Sequence, residues 1–240
     1  MSRSAIKLHT PAGRKALDKM IHEAERQLKE QAAAAQALKP GAKAAAAPKA
    51  GAKDQPPKGA GEIRIIGGQW RRTRLAVAQK PGLRPTPDRV RETLFNWLGQ
   101  DLTNWKCIDA FSGTGALGFE AASRGASQVI MNEQDPALVQ QLQRLQQKLN
   151  APMVRVQRGD ALSCLKSNAA QDLIFLDPPF GQTELFEPAV KAAMDALNDG
   201  GFIYLEAPEA WSEERLLEMG LELHRYLKAG AVHAHLLRKQ

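Results

Sequence analysis

The fold of this chain follows from one stretch, Leu173-Ile-Phe-Leu-Asp-Pro-Pro-Phe180. Its first four residues are continuously apolar and lie between Asp172 and two prolines, which is typical of a strand buried on both faces of a parallel sheet. The segment Asp177-Pro178-Pro179-Phe180 then lies at the carboxyl end of that strand, where open α/β sheets bind ligands. A carboxylate, a carbonyl before a rigid diproline and an aromatic ring together suit a planar, amide-like base. The stretch therefore predicts a base-binding site at the edge of a buried sheet.

Strand and helix patterns alternate through the rest of the chain. Apolar runs predict sheet strands at 106–111, 128–131, 153–157, 173–177, 202–206, 221–227 and 232–237. Helical spacing of apolar residues predicts helices from 118 to 125, 136 to 149 and 184 to 197. This alternation, ending in a hairpin, indicates an α/β fold with a mostly parallel sheet covered by helices on both faces.

Positive charge is concentrated before the predicted sheet. The 240 residues carry a net charge of +7: residues 1–61 carry +7, residues 62–91 carry +6, and the residues after Arg91 carry −6. Residues 40–61 consist almost wholly of Ala, Lys, Gly and Pro, a composition typical of a flexible linker. We therefore predict a basic extension at 1–61, partly helical or disordered, an N-terminal segment at 62–100 that contacts a polyanionic partner, and a main domain at 101–240. A polyanion partner explains the charge, and a solvated tail with a solvated face is the alternative.

The two cysteines, Cys107 and Cys164, have no neighbouring metal-ligand spacing. Reduced thiols in a cytoplasmic protein are the expectation, and no metal site is predicted. No apolar run approaches the roughly 18 residues of a membrane span, so no membrane partner is expected. The first ten residues lack the apolar core of a signal peptide. Four basic residues precede Asp18, which leaves an organellar transit peptide open as an alternative.

A glycine-rich loop follows the first predicted strand of the sheet. Gly113, Gly115 and Gly118 match the G-x-G-x-x-G pattern, and Glu133 lies at the distance expected for an acid that binds a ribose. Taken alone, this pattern suits a nicotinamide dinucleotide and a methyl donor equally well.

Three further features favour the methyl donor. Asp109 places a carboxylate over the loop, which suits the ammonium of a methionine and would repel a pyrophosphate. Phe111 makes the loop bulkier than a phosphate cradle requires. Asp160, with Ala161 after it, lies just past the third sheet strand and can accept a hydrogen bond from the adenine amine. S-adenosylmethionine is therefore the predicted cofactor, although Asp109 could instead cap a helix, and Glu133 and Asp160 could be ordinary loop acids.

Arginines surround an aromatic residue just before the sheet. Trp70-Arg71-Arg72 follows Gly67-Gly68, and arginines interleaved with a tryptophan suit phosphate contacts and stacking on an unpaired base. Thr86 and Pro87 predict a helix start, with Thr86 as its N-cap. The predicted RNA-contacting residues are Arg64, Trp70, Arg71, Arg72, Arg84, Arg89 and Arg91. A packed surface tryptophan is the alternative for Trp70.

The ordered set D-x-F-x-G-x-G, Glu133, Asp160 and DPPF resembles class I S-adenosylmethionine-dependent methyltransferases that act on exocyclic amines of nucleobases. The segments Ile63-Arg-Ile-Ile-Gly-Gly-Gln-Trp-Arg71 and Leu83-Arg-Pro-Thr-Pro-Asp-Arg-Val-Arg-Glu-Thr-Leu-Phe-Asn-Trp-Leu98 are similar to the N-terminal signature of RsmD-type 16S rRNA (guanine-N2)-methyltransferases. The resemblance covers about 61–240. It implies a Rossmann-like seven-stranded sheet with a reversed last strand, a monomer, and a guanine of 16S rRNA as substrate, in free rRNA or in a small-subunit assembly intermediate.

The catalytic residues expected from this pattern are Asp177, Pro178, Pro179 and Phe180. The Asp177 carboxylate and the Pro178 carbonyl would accept the two N2 hydrogens, while Phe180 stacks on the guanine and the diproline fixes the turn. Capping of the following helix is the alternative role for Asp177. Two other functions stay open at this point: a DNA adenine-N6 or cytosine-N4 methyltransferase, and a non-enzymatic RNA-binding module.

Overall fold

The computed structural model describes residues 61–77 and 86–240. The predicted basic extension lies outside these ranges apart from Gly61, and so does Arg84. Within the described ranges, no helix has the length and apolar character needed to cross a bilayer, and no group of acidic, His and Cys side chains could hold a metal ion.

The described residues form a two-stranded hairpin and a seven-stranded sheet with its helices. The hairpin comprises β1 (Gly61–Arg64) and β2 (Arg74–Val77). The strands of the large sheet are β3 (Lys106–Asp109), β4 (Gln128–Glu133), β5 (Val154–Arg158), β6 (Gln171–Leu176), β7 (Leu197–Ala207), β8 (Leu221–Ala229) and β9 (Val232–Lys239). The α-helices are α1 (Asp88–Trp97), α2 (Ala116–Ser123), α3 (Pro136–Lys148), α4 (Ala161–Ser167), α5 (Phe186–Ala196) and α6 (Glu213–Glu218), and a 3₁₀ turn (Thr183–Leu185) precedes α5.

The strand order of the large sheet is β5-β4-β3-β6-β7-β9-β8. The pairs from β5 to β7 are parallel, whereas β9 runs antiparallel to both of its neighbours. This arrangement confirms the predicted mostly parallel sheet with a reversed last strand. The chain first builds outward from β3 to β5 and then returns to add β6 beside β3. The crevice at the carboxyl ends of β3 and β6 is therefore the topological switch point, where this class of sheet binds ligands.

The sheet separates two apolar layers, and β6 contributes to both. Leu173 and Phe175 pack on the side of α1, α2 and α3, in what we call the first layer. Ile174 and Leu176 pack on the side of α4, α5 and α6, in the second layer. Because side chains alternate across a strand, both faces must be apolar, which explains the unbroken apolar run. Full burial of each such side chain stabilises the fold by roughly 1.5 to 3 kcal/mol.

Two local features differ from the sequence-based prediction. The short helices α4 and α6 were not predicted, because six or seven residues are too few for a clear helical period. Strand β7 begins at Leu197, with a register irregularity before Phe202 resumes the ladder opposite Leu173. In addition, His235 on β9 is fully buried, and its Nε2 accepts a hydrogen bond from the backbone N–H of Trp211 at 3.1 Å.

The hairpin is docked onto α2 through the backbone. The buried carboxylate of Glu120 accepts hydrogen bonds from the backbone N–H groups of Ile66 and Gly67, both at 2.8 Å. Gly68 has a φ of +71°, and a Cβ there would lie 1.7 Å from the carbonyl oxygen of Ser123. Gly68 is thus a point of close approach between the hairpin and the helix that no larger residue allows.

Candidate active site

The acidic residues predicted from the sequence gather at the carboxyl edge of the sheet. Asp109 ends β3, Glu133 ends β4, and Asp177 directly follows β6. Asp160 lies two residues beyond the end of β5. Because neighbouring parallel strands end at the same edge, the fold brings these four carboxylates to one side of the sheet.

The glycine loop between β3 and α2 has a backbone that larger residues cannot adopt without strain. Gly113 and Gly115 have φ values of +50° and +83°. A Cβ on Gly115 would lie 2.6 Å from Leu142 Cδ2 and 2.7 Å from Phe119 Cε2. The loop therefore stays close against α2 and α3 and leaves its backbone facing the carboxyl edge. Phe111, half-buried, packs against the second layer.

Asp109 is the most deeply buried carboxylate under this loop. Its side chain is 2% exposed, and Oδ2 accepts a hydrogen bond from the Gly118 backbone N–H at 3.0 Å. Burial raises the pKa of Asp109 to about 7, opposed by the Gly118 hydrogen bond and supported by the negative charges of Glu133 and Glu206. Asp109 thus holds the first turn of α2, as the capping alternative predicted, and also places a titratable charge next to the loop.

Glu133 is bonded to the glycine loop. Its Oε2 accepts from the Gly113 N–H at 2.9 Å, and its Oε1 accepts from the Asp135 N–H at 2.9 Å. The neighbouring Asn132, which sequence reasoning missed, is buried and donates through Nδ2 to the carbonyls of Ala110 at 3.2 Å and Gly159 at 3.1 Å. The signal in the sequence that could have identified Asn132 is an amide side chain inside an otherwise apolar strand. Asn132 therefore ties the loops after β3 and β5 to β4.

Asp160 and Ala161 begin α4. Asp160 is exposed, and its Oδ2 accepts a hydrogen bond from the Ser163 N–H at 2.8 Å, which lowers its pKa. The Ala161 side chain is buried in the second layer, so only its backbone could contact a ligand. An open cavity of about 400 Å³ lined by Gln134, Arg158 and Gly159 lies beside these residues.

Asp177-Pro178-Pro179-Phe180 leaves the end of β6 as a turn. The Asp177 side chain is partly exposed, and its carboxylate forms no hydrogen bond or ion pair with any residue of 61–77 or 86–240. The helix that follows begins only after Gln182, without a side-chain cap, so Asp177 does not have the alternative capping role. Pro178 is buried, Pro179 is exposed, and the half-buried Phe180 packs against the second layer.

Glu206, near the end of β7, is a fifth acid at this edge of the sheet, and sequence reasoning missed it. It is 3% exposed, and its Oε1 accepts hydrogen bonds from Tyr204 Oη and Thr86 Oγ1, both at 2.9 Å. The prediction of Thr86 as an N-cap was therefore wrong: α1 begins at Asp88, and the Thr86 hydroxyl is used by Glu206. Burial raises the pKa of Glu206, and the two hydrogen bonds oppose this.

One of the predicted RNA-contacting arginines is inside the protein. Arg91 is 0% exposed and donates to Asp88 Oδ1 at 2.6 Å, Glu120 Oε2 at 3.2 Å and the Arg64 carbonyl at 2.9 Å. The prediction that Arg91 contacts RNA was wrong, because its helical position faces α2 and the buried Glu120. Arg64 is half-exposed and pairs with the other oxygen of Asp88 at 2.9 Å.

The remaining predicted contact residues lie at two places. Arg71 and Arg72 are exposed at the turn of the hairpin, and Arg89 is exposed on α1. Trp70 is half-buried against the first layer, and its backbone N–H donates to Ser123 Oγ at 3.0 Å. This turn packs at the carboxyl end of α2, whereas the glycine loop precedes the amino end, about 12 Å away for an eight-residue helix. The fold therefore does not bring Trp70 to the carboxylates.

Comparison with known proteins places this geometry among methyltransferases. A family described as conserved hypothetical protein 95 matches residues 63–238. The "Ribosomal RNA small subunit methyltransferase D" of Escherichia coli (strain K12) is 42% identical over 185 residues, which is 76% of this chain and 92% of that protein. The protein of the same name from Haemophilus influenzae is 40% identical over 173 residues, 66% of this chain and 89% of that protein.

A solved structure agrees with these relatives. The structure described as "Putative methyltransferase yhhF from Escherichia coli" aligns with a TM-score of 0.64 at 38% identity and covers 75% of this chain and 99% of that chain. The likeness therefore covers three quarters of this chain rather than an isolated motif.

Proposed function

This chain belongs to the family described as conserved hypothetical protein 95, and from that premise we propose that it transfers a methyl group from S-adenosylmethionine to the N2 amino group of a guanine in 16S rRNA. The relatives named as small-subunit rRNA methyltransferases support the rRNA substrate over a DNA substrate. The observation that carries the proposal is the Asp177 carboxylate, which has no partner among the described residues and lies at the switch point of the sheet.

The residues beside the switch point fit S-adenosylmethionine. The backbone of the loop at Gly113 and Gly115 approaches closely, and Asp109 supplies negative charge for the ammonium of the methionine part. Glu133 would bind the ribose hydroxyls, and Asp160 with the Ala161 backbone would bind the adenine. When bound, this cofactor supplies a methyl group on a sulfonium, whose bond to sulfur breaks with the electron pair left on sulfur.

The DPPF turn would hold the guanine. The Asp177 carboxylate and the Pro178 carbonyl accept the two N2 hydrogens, which localises the nitrogen lone pair and aligns it for attack. Phe180 contributes an aromatic face, and Pro179 keeps the turn rigid. The guanine must be unpaired or flipped out of a helix to reach this turn. Catalysis then depends mainly on positioning, and no metal ion is needed.

Exposed arginines would contact the rest of the RNA. Arg71 and Arg72 at the hairpin turn and Arg89 on α1 present positive charge to solvent, which suits phosphate contacts. Arg64, which is half-exposed although it pairs with Asp88, would contribute a further contact, and so would the exposed part of the Trp70 side chain. We infer a cytoplasmic monomer acting on free 16S rRNA or on a small-subunit assembly intermediate.

The proposal is tested by methyl transfer in vitro. The full chain with labelled S-adenosylmethionine should methylate small-subunit rRNA or particles and leave duplex DNA unlabelled. Asp177→Ala should abolish transfer while calorimetry still detects cofactor binding. Labelling of DNA instead of rRNA would support the DNA-methyltransferase alternative, and absence of cofactor binding would indicate an RNA-binding module. Retained turnover in Asp177→Ala would contradict the assigned role of that residue.

A further inference from the structure

Two carboxylates stand next to each other at the end of β6 and β7. In the parallel ladder, Leu176, the last residue of β6, lies opposite Leu205. Asp177, which directly follows β6, and Glu206 of β7 are therefore each one residue beyond this last pair. Side chains alternate along a strand, and both residues therefore point to the face on which Phe175 and Tyr204 pack, the first layer. Neighbouring strands are about 4.8 Å apart. Asp177 and Glu206 are thus side-by-side acids on one face.

No cation neutralises this pair among the residues of 61–77 and 86–240. Both hydrogen bonds to Glu206 come from neutral hydroxyl groups, those of Tyr204 and Thr86. The buried Arg91 bonds to Thr86 rather than to either acid, since its Nε donates to the Thr86 carbonyl at 3.2 Å. Its charge is matched by its own ion pairs with Asp88 and Glu120. Two ionised carboxylates in this place would repel each other without compensation.

We propose that Glu206 is a positioning residue that shares one proton with Asp177, so that the pair presents a single ionised carboxylate to the amino group being methylated. This role rests on the proposed function, because it concerns the same amino group. The Tyr204 and Thr86 hydroxyls fix the Glu206 side chain, and Asp177 has no such bonds. Asp177 is therefore the member free to turn toward a ligand.

The electrostatic surroundings agree with this arrangement. The pKa of Asp177 is raised well above its ordinary value by burial first, and then by the negative charges of Glu206 and Asp109. The pKa of Tyr204 is also raised, by burial and by the charge of Glu206, so this hydroxyl stays a donor. The titratable groups that interact with the pair are Asp109 from β3, whose charge acts on Asp177, and Tyr204 from β7, which donates to Glu206. Arg91 from α1 reaches the neighbouring Thr86 carbonyl.

The shared proton has a consequence for the reaction. The amino nitrogen loses one proton for each methyl group that it gains. That proton passes from N2 to the ionised carboxylate of the pair. The two carboxyl groups together then hold two protons, and one of these protons leaves to water. Glu206 thereby lets the site accept a proton without having held two negative charges beforehand.

The direct test is a titration of the Asp177 carboxyl carbon by NMR, assigned by its loss in Asp177→Asn. Glu206→Gln keeps an oxygen acceptor for Tyr204 and Thr86 but removes the charge. The Asp177 titration should then move to lower pH by about one unit, and the acidic limb of the methyl-transfer pH profile should move with it. Glu222→Gln, which removes an exposed acid on β8, is the matched control and should shift neither.

An unchanged Asp177 titration in folded Glu206→Gln would overturn the proposal. If Glu206→Gln does not fold, the reciprocal experiment applies: in Asp177→Asn the Glu206 titration should move to lower pH, and an unmoved titration would overturn the proposal equally. A shift in the titrations without any methyl transfer to rRNA would support the shared proton and reject the proposed function. Methyl transfer to rRNA without a shift in the titrations would support the proposed function and reject the shared proton.

Discussion

Asp177→Asn should make the folded protein more stable at neutral and alkaline pH while it abolishes methyl transfer. The pKa of Asp177 is raised in the folded state. Ionisation of Asp177 therefore lowers the free energy of unfolding only at pH values above the pKa that this residue has in the unfolded chain. The cost grows with pH until the folded group is itself ionised. Each pKa unit corresponds to about 1.4 kcal/mol. Because Asp177 is partly exposed, we expect a gain of about 1 to 2 kcal/mol at about pH 8 and almost none at about pH 4.

Urea unfolding of wild type and variant at these two pH values measures the effect. For a domain of this size, the same gain corresponds to a rise in melting temperature of roughly 2 to 8 °C. Asp160→Asn is the matched control, because the pKa of Asp160 is lowered by its Ser163 hydrogen bond. That variant should not gain stability at about pH 8. A loss of stability in Asp177→Asn at the higher pH would refute the view that Asp177 is an uncompensated carboxylate.

Three further outcomes are expected. Affinity for S-adenosylmethionine, measured by calorimetry, should increase as pH rises through about 7, because the ammonium needs ionised Asp109. Asp109→Asn should remove this pH dependence, and a pH-independent affinity of the wild type would contradict the role of Asp109. Arg91→Met should lower the free energy of unfolding, measured in urea, by about 3 to 5 kcal/mol, because it removes one of the positive charges that pair with the buried Glu120. A loss below about 1 kcal/mol would indicate that Arg91 is exposed to solvent instead. Replacing Arg71 and Arg72 with serine should lower the slope of log rRNA affinity against log salt concentration by about 1 to 2, with little effect on the single-turnover rate. An unchanged slope would show that neither arginine contacts the RNA.

The sheet, the glycine loop and the placement of the acids at the sheet edge could be predicted because they depend on local patterns. The apolar run at 173–176 requires burial on both faces, and the glycines at 113 and 115 require a backbone that other residues avoid. Chain order then places Asp109, Glu133 and Asp177 at one edge, since parallel strands end together. The resemblance to a family added the proposed target atom, which no local pattern contains.

The features that were missed depend on contacts between distant parts of the chain. Arg91 has the same local surroundings as Arg89, and only the packing of α1 on α2 decides that one is buried and the other exposed. Thr86 has the pattern of an N-cap, but a buried acceptor 120 residues away competes for its hydroxyl. Glu206 looks like the polar end of a strand until the register with β6 places it beside Asp177.

The most direct test of the proposed function is a map of methylated guanines in 16S rRNA from a strain that lacks this protein. Mass spectrometry of the rRNA should show one N2-methylguanosine missing, and the wild-type chain should restore it whereas Asp177→Ala should not. An unchanged methylation map, or restoration by Asp177→Ala, would contradict the proposal that the DPPF turn at the switch point methylates a guanine of this rRNA.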